Sequence, residues 1–240
     1  TNWCYCSSGT WSLMGAELDA PCITEAGREV PFTNEGGVDG TIRFLTNIIG
    51  LWLVQECRRA FEKAGHSYDY GQLTELASKA APFQTILDTD HPPFVQPGRM
   101  PEKIAEYAKS TGQHVPSEPG EFIRCCLESL ALVYRRTQNK LEEVTDRHYD
   151  VLHVVGGGGK NELLNQFTAD ALGRRLLVGP AEATAVGNVL TQALGTGDVG
   201  DIAEIRSLVS ASFQPKTFQP ENTAGWDEAY QRFLSLRGEA

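Results

Sequence analysis

The sequence predicts an α/β fold, and three observations carry that expectation. Val151-Leu152-His153-Val154-Val155 is an apolar, mostly β-branched run of the kind found in a strand covered on both faces, and it ends in Gly156-Gly157-Gly158-Gly159. Leu176-Leu177-Val178 gives a second strand, and each of these two strands is followed by apolar residues at helical spacing, so the order is strand-helix-strand-helix. At the other end of the chain, Trp3-Cys4-Tyr5-Cys6 and the run from Trp11 to Met14 flank the turn-forming Ser7-Ser8-Gly9-Thr10, which predicts a hairpin opening a sheet. The 240 residues allow one large domain or two small ones, with enough chain to bury a proper core.

The elements between these ends follow from spacing. After the loop Thr33-Asn34-Glu35-Gly36-Gly37, the residues Leu45, Ile48, Ile49, Trp52, Leu53, Cys57, Ala60 and Phe61 recur at helical intervals, while Arg58, Arg59, Glu62 and Lys63 fall elsewhere. That predicts an amphipathic helix stopping near Gly65. Pro82, Pro92, Pro93, Pro97 and Pro101 exclude a helix or a central strand through their stretch, which reads as a long ordered excursion between two helical blocks. Phe122, Cys126, Leu130 and Val133 share one face of a long, mostly buried helix from Pro119 to about Leu141, with Ser117 available as its cap. Behind the glycine run, Leu163, Leu164, Phe167, Ala171 and Leu172 face inward. Gly179-Pro180 closes the second strand, and Val186, Val189, Leu190, Ala193 and Leu194 mark the helix after it. Two more helices are expected near 201–210 and 223–236, joined by a link holding Pro215 and Pro220. No repeat of fixed period is visible.

Composition narrows the function. With 21 Lys and Arg against 31 Asp and Glu, the formal charge is −10, which argues against a nucleic-acid groove or an anionic membrane surface. An anionic small ligand stays open, because backbone N–H groups bind phosphate without any lysine. Cys4, Cys6, Cys22, Cys57, Cys125 and Cys126 lack the paired spacing of a zinc site and the density of a disulfide scaffold, so reduced core thiols in a cytoplasmic protein are expected. No apolar stretch reaches transmembrane length and no targeting signal is visible. The strand pattern starts almost at Thr1, and we expect a segment upstream of it to have been removed.

Chemistry concentrates at the glycines. A strand that ends in four glycines before a helix lets backbone amides approach an anion at a helix start. The run is not a P-loop, since Val154 stands where that motif needs its first glycine and Asn161 follows Lys160. It is a poor dinucleotide fingerprint too, with Asn161 in the place of the third glycine. A tight strand-helix junction with no ligand is the plain alternative. Ser7-Ser8-Gly9-Thr10 offers hydroxyls and N–H groups on one turn, a nest for phosphates or simply a turn. Asp88, Asp90 and His91 lie together in the excursion, more consistent with solvated loop charges than with a metal site, and His153 reads as a core residue. No Ser-His-Asp or Cys-His constellation appears.

Several separated segments, set together, resemble the C-terminal half of a sugar kinase of the FGGY carbohydrate-kinase family. They are Ser7-Ser8-Gly9-Thr10-Trp11-Ser12-Leu13-Met14-Gly15, Asn34-Glu35-Gly36-Gly37, the stretch from Asn47 to Glu56, Glu128-Ser129-Leu130-Ala131, Val155 to Gly158 with Asn161 and Leu163 to Gln166, and Gly179 to Thr184 with Gly187-Asn188. The resemblance implies the actin/hexokinase-like, ribonuclease H-like ATPase fold of two α/β domains about a cleft. Residues 1–240 would be its C-terminal nucleotide-binding domain, with a large helical insertion at about 45–145 and the N-terminal sugar-binding domain absent.

It further implies ATP and Mg²⁺ as cofactors. Gly9 and Thr10 would meet the ATP phosphates, Asn47 and Gln55 would line the nucleotide pocket, and Gly157, Gly158 and Asn161 would cradle the adenosine end. The catalytic aspartate is expected upstream of Thr1, leaving no catalytic or metal-holding residue in this chain. Lys160 has no matching role and reads as surface charge. The Asn34–Gly37 and Asn47–Gln55 segments narrow the resemblance to the branch acting on L-rhamnulose. The implied activity is transfer of the γ-phosphoryl of MgATP to that sugar, giving L-rhamnulose 1-phosphate in rhamnose catabolism. The sugar would be held mainly by the absent domain, and neither nucleic acid nor membrane is expected as a partner. Alone, the chain is expected to bind nucleotide weakly and be inert. The alternatives are a family kinase for another ketose or polyol, and a non-catalytic nucleotide-binding module.

Overall fold

The structure, a computed structural model, describes residues 2–239. In chain order its elements are β1 (Trp3–Ser8), β2 (Trp11–Leu18), α1 (Glu25–Glu29), β3 (Thr33–Gly36), β4 (Ile42–Ile49), α2 (Trp52–Lys63), α3 (Tyr70–Lys79), α4 (Pro92–Val95), α5 (Met100–Ser110), α6 (Pro119–Thr145), β5 (Val151–Val155), α7 (Glu162–Leu172), β6 (Arg175–Val178), α8 (Ala183–Thr196), α9 (Ile202–Ser212), β7 (Lys216–Phe218) and α10 (Trp226–Leu236). The chain forms two compact units. One holds the residues up to Ile48 with Thr137–Lys160 and Arg174–Gln219; the other holds Ile49–Arg136, Asn161–Gly173 and the residues from Pro220.

The first unit is built on a seven-stranded sheet of order β3-β4-β2-β1-β5-β6-β7. β1 is central: it pairs antiparallel with β2 and parallel with β5, and β5 is parallel to β6. Period-two alternation is clean in β1, where Cys4, Cys6 and Ser8 are buried while Trp3, Tyr5 and Ser7 are half-covered. The buried face continues through Ser12, Met14 and Ala16 of β2, Leu152 and Val154 of β5, and Leu176 of β6. The C-terminal turns of α6 join this unit through Gln138, whose amide donates to Tyr149 O at 3.0 Å, and through Glu142, which binds Arg174 at the foot of β6.

The helical spacing over Leu45–Phe61 belongs to a helix only from Trp52. Residues 42–49 form β4, with Phe44, Leu45, Thr46, Ile48 and Ile49 buried and Asn47 exposed. A strand buried on both faces presents a continuous apolar run, and in sequence such a run is easily joined to the amphipathic pattern of the helix behind it. β4 lies against β2 so closely that a Cβ on Gly15 would come within 2.7 Å of Leu45.

The second unit is helical, and within it the proline-rich excursion is tied down by side chains. Trp52 Nε1 donates to Phe94 O at 2.9 Å, Ser129 Oγ accepts from Leu87 N at 2.8 Å, and Glu128 accepts from Phe83 N at 2.9 Å. Gln113 exchanges two hydrogen bonds with the backbone of Ile86. Such partners replace the ladder that prolines forbid. Asp88 and Asp90 both pair with Arg237, whose side chain is only 13% exposed; Asp90 stays solvated, as expected of a loop charge, while Asp88 is partly buried. Helix α6 starts at Pro119 as the sequence predicts, but Ser117 acts differently from a helix cap. Its N–H and hydroxyl both donate to the Glu121 carboxylate, at 2.8 and 3.2 Å.

Candidate functional site

Parallel pairing of β1 with β5 decides where the two glycine-bearing bends lie. Ser7 is opposite Val155, so both strands end at the same edge of the sheet. The turn Gly9-Thr10 leaves β1 at that edge and Gly156–Gly159 leaves β5 beside it. A third bend joins them, because Gly179 N donates to Val154 O at 2.8 Å and Gly156 N donates to Pro180 O at 3.3 Å. An edge where parallel strands end and helices begin is where open α/β sheets hold ligands.

The four glycines are there for different reasons. Gly156 has φ +89°, and a Cβ on it would stand 2.7 Å from Ser8 O. Gly158 packs on Ser8 itself: a Cβ would lie 2.9 Å from Ser8 Cβ and closer still to its Oγ. Gly159 faces Val178, which a Cβ would approach to 2.9 Å. Gly157 differs from the other three. It is exposed, its φ is not left-handed, and a Cβ there would meet nothing within 4 Å. Packing explains the missing side chains at 156, 158 and 159, and leaves 157 as open backbone at the mouth of the edge.

The structure therefore brings Gly9, Thr10, Gly157 and Gly158 together. Thr10 is exposed and Gly9 partly so, while Ser8 is buried under the glycine run and serves as its packing partner. Asn47 stands on β4 as the exposed residue in a buried run, two residues beyond the Leu45 contact with Gly15. Gln55 and Asn161 belong to the helical unit. Gln55 sits half-buried in the first turn of α2. Asn161 is the N-cap of α7, its Oδ1 accepting from Leu164 N at 2.9 Å. That bond commits the oxygen and leaves the amide NH₂ as the group able to donate to a ligand. The packing role of Ser8 carries no sequence signal, because a serine before a turn reads equally well as a donor.

Burial, with the charge of Arg175, lowers the His153 pKa and favours the neutral ring, which lies edge-on to Trp3 at 5.5 Å. Among the described residues no three His, Cys, Asp or Glu side chains converge to hold a metal ion.

The sequence profile of the FGGY family of carbohydrate kinases, C-terminal domain, matches residues 4–196. This chain belongs to the FGGY family of carbohydrate kinases. Among curated relatives, the FGGY-family chain is 47% identical over 232 residues to the rhamnulokinase of Bacteroides thetaiotaomicron, covering 97% of the chain and 47% of that protein. It is 41% identical over 220 residues to the rhamnulokinase of Bacillus subtilis, covering 92% and 45%. The chain spans about half the length of the curated relatives it matches. Among solved structures, xylulose kinase from Lactobacillus acidophilus superposes with a TM-score of 0.71 at 13% identity, covering 99% of this chain and 47% of that one. Glycerol kinase from Plasmodium falciparum, determined with ADP, gives 0.68 at 14% identity, covering 98% and 46%. The FGGY chain thus has the fold of these sugar kinases, actin/hexokinase-like as the motifs imply.

Proposed function

We propose that this chain is the nucleotide-binding half of a kinase that moves the γ-phosphoryl of ATP onto a hydroxyl of L-rhamnulose. The single observation that carries the reading is the meeting of the Gly9-Thr10 turn and the open backbone at Gly157 on one sheet edge. The acceptor comes from the rhamnulokinase relatives. Within the sheet unit, the adenosine end would rest on Gly157 and Gly158, Asn47 would line the pocket, and the phosphates would reach Gly9 and Thr10. Bound ATP supplies the transferable phosphoryl group. The protein's share is to fix its direction with donors that need no rearrangement, which for phosphoryl transfer is a large part of catalysis. A proton-accepting aspartate, magnesium and the sugar contacts are assigned to chain beyond this half, so the chain alone binds without turnover.

Calorimetric titration with ATP tests this. Gly157→Val places a branched side chain where only open space exists, so folding should persist while affinity falls by about tenfold or more. Equal affinity in the variant would overturn the placement. In a full-length protein of this sequence, kcat/KM for L-rhamnulose should exceed that for fuculose and xylulose; a preference for either rival would replace the acceptor.

A further inference from the structure

The chain has four tryptophans, and three are engaged. Trp3 lies edge-on to His153 with Arg206 over its ring, Trp52 donates its Nε1–H to Phe94 O beneath Arg59, and Trp226 packs against Phe83 and Phe167. Trp11 is the exception. It is 51% exposed, and among the described residues its ring has no aromatic, cation–π or hydrogen-bonding partner. An indole left half in water contributes little of the burial that normally holds so large a side chain in a fold, so packing does not explain a tryptophan at this position.

Its place in the sheet is specific. Trp11 follows Thr10 directly and opens β2, just outside the Ser8–Ser12 pair that ends the β1–β2 register. Along β2, Ser12, Met14 and Ala16 are buried, whereas Trp11, Leu13 and Glu17 alternate with them on the other face. The indole thus stands at the edge that carries both glycine bends, next to the turn assigned to the phosphates. In-line transfer needs the attacking hydroxyl to meet the γ-phosphoryl on the side away from the rest of the nucleotide. A large side chain beside the phosphate turn is therefore placed for the acceptor rather than for the base.

We propose that Trp11 is a specificity-determining residue for the acceptor: its ring covers the apolar end of the sugar, the C6 methyl group that L-rhamnulose carries where most ketohexoses end in a hydroxymethyl group. This role rests on the reading of the chain as half of an ATP-dependent L-rhamnulose kinase, and it adds one contact of the chain's own to the sugar contacts assigned to the rest of the protein. An indole suits the task, because its face takes carbon-bound hydrogens while Nε1–H donates to a hydroxyl. A methyl group moved from water onto that face is stabilised, whereas a hydroxymethyl group in the same place gives up a hydrogen bond to water. Contacts of this size discriminate by about tenfold or somewhat more.

Steady-state kinetics with L-rhamnulose and L-fructose, ketoses that differ only at C6, test this on the full-length protein of this sequence. Trp11→Ala should lower kcat/KM for L-rhamnulose by about tenfold or more and that for L-fructose by about threefold or less, with KM for ATP held within about twofold. Trp11→Phe keeps an aromatic face and should retain most of the preference for L-rhamnulose. An equal loss on both sugars in both variants overturns the role of Trp11 and leaves the kinase reading standing. So does a raised KM for ATP with the sugar preference intact, which would give the indole to the nucleotide. A lower melting temperature with an unchanged preference overturns it too, and makes Trp11 a packing residue. A wild-type protein without activity on L-rhamnulose overturns the acceptor reading itself, and the role of Trp11 with it.

Discussion

At the scale of single residues, the glycine run separates packing from ligand contact. Gly158→Ala puts a methyl into Ser8 and should cost about 1–3 kcal/mol, whereas Gly157→Ala should stay within about 0.5 kcal/mol, both read by urea denaturation. Equal costs would mean that Gly157 is packed as tightly as its neighbour. The cysteines give a second expectation. Cys4, Cys6, Cys57, Cys125 and Cys126 are buried and Cys22 only partly so. Burial pushes the Cys4, Cys57 and Cys125 thiols well above their usual range. Native protein treated with iodoacetamide should therefore carry one adduct, at Cys22, by mass spectrometry. Fast modification of several thiols would contradict this core. The core place expected for the six thiols holds for five; Cys22 is only partly buried. The role of Ser8 was not legible in the sequence, since it depends on a strand about 150 residues away in sequence.

At the scale of elements, Glu142 on α6 clamps the feet of β5 and β6. It accepts from Tyr149 N at 2.8 Å and from Arg174 Nη2 at 3.1 Å, with His148 Nδ1 at 3.2 Å. Burial works to raise its pKa, but Arg174, the Tyr149 N–H and His148 outweigh that and hold the carboxyl below its ordinary value. A carboxyl whose pKa is lower in the folded state contributes fully above its unfolded value of about 4.3, and the contribution is lost as pH falls through the folded value. Glu142→Gln should lower the melting temperature at pH 6, and the two proteins should converge as pH falls towards 3. Parallel curves would show that the clamp is idle. Most elements announced themselves through period and punctuation: the front hairpin, β5 with its glycines, β6, and α6 from Pro119. β4 did not, because Phe44, Leu45, Ile48 and Ile49 fill both faces and merge with the helical register of α2. The edge strands β3 and β7 are 4 and 3 residues long, too short for alternation to register.

At the scale of the whole molecule, a formal charge of −10 sets the terms on which a triphosphate can bind. The protein's net field opposes the ligand, so on the proposed reading affinity comes from short-range main-chain donors. Raising salt from about 0.05 to 0.5 M screens the repulsion and should leave ATP affinity level or slightly higher, whereas a lysine-dominated site would weaken steeply. The site was partly legible: both glycine bends could be picked out along the chain, but their meeting follows from the parallel pairing of β1 with β5, which no local pattern encodes. The decisive test is the amide spectrum of the ¹⁵N-labelled chain titrated with a non-hydrolysable ATP analogue. Gly9, Thr10, Gly157 and Gly158 should shift first and furthest; shifts confined to other surfaces, with both bends unmoved, would contradict nucleotide binding at this edge.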